Sequence, residues 1–200
     1  AIPSEGRGEF IAAGVAAFAA YALNGLFASV VPGFTTAMLH HADYAIAGGI
    51  TCLFFGAGAV AALSLARLNS RPVLLAGLGG FLPGLALVLA GMSTASLVLF
   101  GIGAVVAGSS FGAVIIGSLS AANRLAPEGT RAKVISTYFV FAYSGLSIPV
   151  VGVGIASDYV GNFRAVLGCS IVLAVLCALS AARISGGPRA ARPRLRPDPR

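Results

Sequence analysis

The side chains of this chain that could do chemistry are neutral and sit in long apolar stretches. Ser136, Thr137, Tyr143, Ser144 and Ser147 lie in an uncharged run from Val134 to Ser157. At about 100° per residue, a helix places all five within about 120° of arc. A second run puts Gly14, Ala17, Tyr21, Gly25 and Ala28 on one face with Asn24 at its margin, and a third aligns Gly101, Gly108 and Gly112 beside Ser109 and Ser110. Hydroxyls and an amide without charge can hold a ligand by hydrogen bonds. Bond-breaking is another matter: Ser109, Ser110 and Cys52 would need an activating base, and no Asp, Glu, Lys, Arg or His sits near the middle of any apolar run. The chain therefore reads as a non-enzyme.

Composition says what must position these groups. Of 200 residues, 58% are hydrophobic and 10% charged, and mean hydropathy is +0.94. A soluble domain carries roughly 25% charged residues, so this chain lacks the charge to coat a wet surface. Its apolar runs reach the roughly 18 residues that mark a membrane-spanning helix. Strand-type alternation is missing, which excludes a membrane β-barrel. The expected fold class is all-α: a polytopic membrane protein of six transmembrane helices.

The spans fall at about Phe10–Val31, Tyr44–Leu65, Pro72–Ala90, Ala95–Ala122, Val134–Ser157 and Ala165–Ala182, with Pro32-Gly33 stopping the first. Residues 1–9 read as the end of a cytoplasmic linker, 10–184 as the bundle, and 185–200 as a disordered Arg- and Pro-rich cytoplasmic tail. Twelve of the 13 Lys and Arg residues then lie on one side, and Arg164 stands alone on the other. That asymmetry places both termini in the cytoplasm. It also argues against nucleic acid as a partner for the net charge of +7. The abundance of Arg, Ala and Gly suggests a GC-rich bacterial source. A first residue of Ala suggests a chain processed or cut from something longer.

Each polar or small residue has a plainer reading beside the functional one. Gly108-xxx-Gly112 and Gly80-xxx-Gly84 serve close helix packing, and Ser or Thr in a membrane helix can bond its own preceding turn. Pro83 and Pro149 should kink their helices. Spans one, four and five are expected to face protein or a wet cavity, and spans three and six to face lipid. The cysteines Cys52, Cys169 and Cys177 are odd in number and lack metal-ligand spacing, and His40-His41 has no third ligand. No metal or cofactor is expected.

The stretch RLAPEGTRAKVISTYFVFAYSGLSIPVVGVG, from Arg124 to Gly154, resembles the basic loop and eleventh helix of drug-exporter-like bacterial members of the major facilitator superfamily. Over about residues 8–184 the chain resembles the C-terminal six-helix half of such a transporter. The resemblance implies that spans one to six are helices seven to twelve, with seven and ten lining a central cavity together with eight and eleven. It implies alternating access about a midplane site and a missing N-terminal six-helix half as partner. ALSLARLNSR corresponds to the family's loop motif: Arg67 and Arg71 match its basic positions, while Ala66 stands at the Asp and Asn69 at the second Gly.

The functional expectation is transmembrane transport of a small molecule by one half of a secondary-active permease, with efflux of a neutral or amphipathic substrate at a bacterial inner membrane. Cavity-lining candidates are Tyr21, Asn24, Ser109, Ser136, Tyr143 and Ser147; Arg67, Arg71 and Arg131 are candidates for gating at the cytoplasmic loops. The partners are the lipid bilayer and the substrate. A self-contained six-helix protein, acting as a channel-like oligomer or assembly factor, is the alternative. An intramembrane enzyme using Ser109, Ser110 or Cys52 comes third.

Overall fold

A computed structural model describes residues 4–39, 44–126 and 129–186. They form six α-helices: α1 (Ser4–Leu39), α2 (Tyr44–Leu65), α3 (Ser70–Ser93), α4 (Leu97–Leu125), α5 (Arg131–Val160) and α6 (Asn162–Gly186). All six are long and apolar enough to cross a membrane, and there is no strand among the described residues. The His40-His41 pair and most of the C-terminal tail lie outside the described residues.

Two boundaries differ from the sequence reading. The first helix begins at Ser4, inside the expected linker, and runs through Pro32 to Leu39 rather than stopping there. Pro32 and Gly33 are themselves exposed, and the turn beyond them is held by side chains that pack inward. Phe34 and Thr35, just beyond Pro32, are buried, and the Thr35 hydroxyl donates to the carbonyl of Val31 at 3.0 Å. At the other extreme, α5 and α6 are separated by one residue. Gly161 takes that turn at φ 83°, a backbone geometry that costs glycine nothing.

The helices are unequally covered. In α1, 72% of the membrane-length window is buried, against 50% in α4, 44% in α3 and 33% in α6. The figure falls to 22% in α2 and 17% in α5. Helix α1 runs through the middle, touching α2, α4, α5 and α6. Its run of alanines, from Ala16 to Ala22, lets neighbours approach it from all sides. Coverage within the bundle ranks the helices. Helices α1 and α4 are interior, α3 packs tightly on α4, and the uncovered pair is α2 with α5.

The packing repeats itself. Helix α2 packs chiefly on α4 and α5 chiefly on α1, while α3 leans on α4 and α6 on α1. Exchanging α1–α3 with α4–α6 reproduces this pattern. Small residues make both crossings close. A Cβ on Gly58 of α2 would stand 2.9 Å from the Gly108 carbonyl oxygen of α4, and one on Gly145 of α5 would collide with the Phe18 carbonyl of α1. Gly112 and Gly84 are likewise pressed on backbone atoms of the next helix, as the small-xxx-small spacing predicts.

Polar ties gather at one end. Arg124 of α4 donates to Glu9 of α1 at 2.7 Å and to the Ser70 hydroxyl of α3 at 2.9 Å. Arg131 donates from Nε to the Asn123 side chain at 3.1 Å, and Arg71 donates to the Ser185 carbonyl of α6 at 2.8 Å. The starts of α1, α3 and α5 and the ends of α4 and α6 thus lie together. Six alternating crossings require that arrangement.

Candidate functional site

Helix α5 carries a groove on its uncovered face. The groove has a volume of about 760 Å³ and is open to the outside, with Ser136, Phe139, Val140, Tyr143, Ser144, Ser147 and Ile148 along it. Residues three, four and seven apart along a helix line up on one side, which is why one element supplies the whole lining. Phe139 and Tyr143, four apart, stack with ring centres 6.0 Å apart. Tyr143 is 58% exposed.

The hydroxyls on this helix divide into two kinds. Those of Thr137 and Ser144 donate to the carbonyls of Lys133 and Val140, at 2.9 and 2.7 Å, and are spent within the helix. Those of Ser136, Tyr143 and Ser147 make no hydrogen bond among the described residues. Ser147 stands about 24 Å along α5 from Arg131 at 1.5 Å per residue, near the middle of a bilayer. An unpaired hydroxyl facing hydrocarbon at that depth is costly, so this face suits water, protein or ligand better than lipid.

Helix α1 brings Tyr21 to the edge of this region. The Tyr21 ring meets Tyr143 edge-on at 5.9 Å and Phe111 of α4 edge-on at 6.0 Å. Asn24, nearly one turn further along, is half-buried, and its amide is also without a hydrogen bond among the described residues. Five of the six expected lining residues therefore keep their polar groups available. Ser109 does not: its hydroxyl donates to the Val105 carbonyl at 2.8 Å, the plainer reading of a membrane serine.

The basic-loop candidates separate similarly. Arg71 and Arg131 tie helix ends together, and Arg67 is exposed beyond the end of α2. The sequence reading missed Arg124, which holds two other helices. It also missed the buried pair Tyr138 and Ser118, whose hydroxyls are 2.9 Å apart between α5 and α4. Ser118 donates to the Val114 carbonyl at 2.6 Å, which leaves Tyr138 as donor to Ser118. Phe139 and Tyr143 four residues apart were a legible signal for a ring pair. The partnership of Tyr138 with Ser118 depends on the angle at which α4 crosses α5 and was not.

Among the described residues, no three His, Cys, Asp or Glu side chains come together as a metal site would need. Comparison with protein-family models, curated proteins and solved structures returns no match.

Proposed function

We propose that this chain is one six-helix half of a major-facilitator-type secondary transporter that moves a small uncharged or amphipathic molecule. On this reading it sits in a bacterial inner membrane with its basic end in the cytoplasm. The observation that supports the reading is the row of hydroxyls without hydrogen-bond partners among the described residues on α5, the least covered helix, with Ser147 near the middle of its length. Such a stripe suits a water-filled cavity shared with a second bundle, with α2 flanking it. The repeated packing of α1–α3 and α4–α6 adds support. A three-helix unit crosses the membrane an odd number of times, so its repeat enters inverted, as in transporters built from inverted repeats.

The test is counterflow in proteoliposomes holding this chain together with the second six-helix half that the reading requires, using a panel of uncharged and amphipathic solutes with and without a pH gradient. For a solute that is moved, Asn24→Ala and Tyr143→Phe should each raise KM several-fold. Unchanged kinetics in both variants would remove them from the site, and no uptake under either condition would contradict transport.

The uncovered α2 and α5 faces also suit a second copy of the chain, the self-contained reading. Cross-linking followed by mass determination separates the two. A covalent dimer of this chain through α2 or α5 favours the oligomer; a link to a different six-helix segment favours the transporter.

A further inference from the structure

The groove on α5 is the open end of a continuous run of aromatic rings. Phe54, buried in the core, meets Phe111 at 5.6 Å, and Phe111 meets Tyr21 at 6.0 Å. Tyr21 meets Tyr143 at 5.9 Å, and Tyr143 stacks on Phe139 at 6.0 Å. Four helices contribute to this ladder. Every step falls within the 4.5–7 Å over which aromatic rings attract edge-on or offset. Phe139 and Tyr143 lie along the groove, where Tyr143 is exposed; beyond Phe139 the run continues to buried Tyr138, edge-on at 5.5 Å. Lipid chains present no ring face, so a ring is what would extend the ladder.

Charge and hydrogen bonding narrow the class further. No charged residue occurs in α1 from Phe10 to Leu39, or in α5 from Val134 to Ser157. A charged ligand seated on Tyr143 and Ser147 would lack a counter-ion at a depth where that is expensive, the nearest charge on α5 being Lys133, one turn before Ser136. The free hydroxyls of Ser136 and Ser147 flank the ring pair and offer both donors and acceptors. The groove is within the size range of small-molecule pockets.

We propose that this groove binds an uncharged, planar aromatic molecule bearing hydrogen-bonding groups, stacked on Phe139 and Tyr143 and anchored by Ser136 or Ser147. This deepens the transport reading and rests on it. The probe is 2-naphthol, measured by equilibrium dialysis against the chain in lipid nanodiscs, with empty nanodiscs subtracting partition into lipid. Naphthol is read by its own emission, which lies at longer wavelength than that of the tyrosines in this Trp-free chain.

The expected result is saturable binding that falls about two- to ten-fold in Phe139→Leu and in Tyr143→Leu, the scale on which removing one aromatic partner acts. Tyr143→Phe, which keeps the ring, should weaken it less. Tyr159→Leu, which removes an 85% exposed tyrosine outside the groove, should leave binding unchanged. Saturated decahydro-2-naphthol and the cation 2-naphthyltrimethylammonium should each compete at least ten-fold more weakly. Signal equal to that of empty discs, equal binding in the Leu variants, or equal competition by either analogue overturns the proposal. Counterflow is scored separately. Uptake of other solutes without naphthol binding overturns this proposal alone, and naphthol binding without uptake overturns the transport reading alone.

Discussion

Gly145 of α5 lies against the Phe18 carbonyl of α1 so closely that a Cβ there would collide with it. Four residues on, Pro149 lacks the N–H that would have bonded the Gly145 carbonyl. One point on α5 thus combines its tightest contact with a missing rung of its own ladder. Helix α5 is held to the bundle chiefly along α1, with lesser contacts to α6 and α4.

Gly145→Ala should therefore destabilise the bundle, by about 1–3 kcal/mol as overpacking usually does. Gly152→Ala, seven residues along the same helix where a Cβ would meet nothing within 4 Å, should be neutral or slightly stabilising. Unfolding in mixed micelles with increasing SDS checks both. Equal midpoints for the two variants would remove the close crossing.

The buried hydroxyl pair sets a second expectation. Ser118→Ala leaves the Tyr138 hydroxyl with no partner at 1% exposure, whereas Tyr138→Phe removes the polar group and leaves Ser118 bonded to Val114. The first should cost more than the second. Coupling in the double mutant should be about 0.6 kcal/mol and at most about 1.7, as for hydrogen bonds between membrane helices. A double-mutant cycle in the same unfolding assay measures it, and strict additivity would contradict the bond.

Arg124 predicts a smaller, salt-sensitive effect. Its partner Glu9 is 47% exposed, so the ion pair is worth about 0.2–1 kcal/mol and should fade as salt screens it. Arg124→Gln should lower stability by that order in low salt and by less in 0.5 M NaCl. In an Arg124→Gln background, Glu9→Gln should add nothing more. A full additional loss would show that Glu9 acts through another partner.

How much of this was legible in the sequence follows from what each feature depends on. Six crossings and their alternation were readable, because span length and the placement of Arg67, Arg124 and Arg131 are local properties of the chain. The stripe Ser136, Tyr143 and Ser147 was readable because helical spacing alone puts those residues together. Which faces are covered was not. Polarity pointed to protein or water beside α5, but that α1 takes the centre through its alanines while α5 and α2 stay least covered depends on how the helices pack. Ser109 and Ser136 look alike in sequence, and only their hydroxyl partners distinguish them. Helix α1 passes through Pro32 because buried Phe34 and Thr35 hold the next turn, which no local rule for proline foresees.

The central claim is that the α5 face is wet at mid-membrane depth, and cysteine accessibility tests it most directly. With the native Cys52, Cys169 and Cys177 replaced by Ala, Ser147→Cys and Val172→Cys are compared in intact membranes using a water-soluble maleimide. Both positions are exposed, and at 1.5 Å per residue they stand about 24 Å and about 21 Å from the basic end of the bundle. Ser147→Cys should label readily while Val172→Cys, on α6, stays unlabelled. An unreactive Ser147→Cys beside a reactive Val172→Cys would mean that lipid covers α5 and water reaches α6, the reverse of the arrangement described.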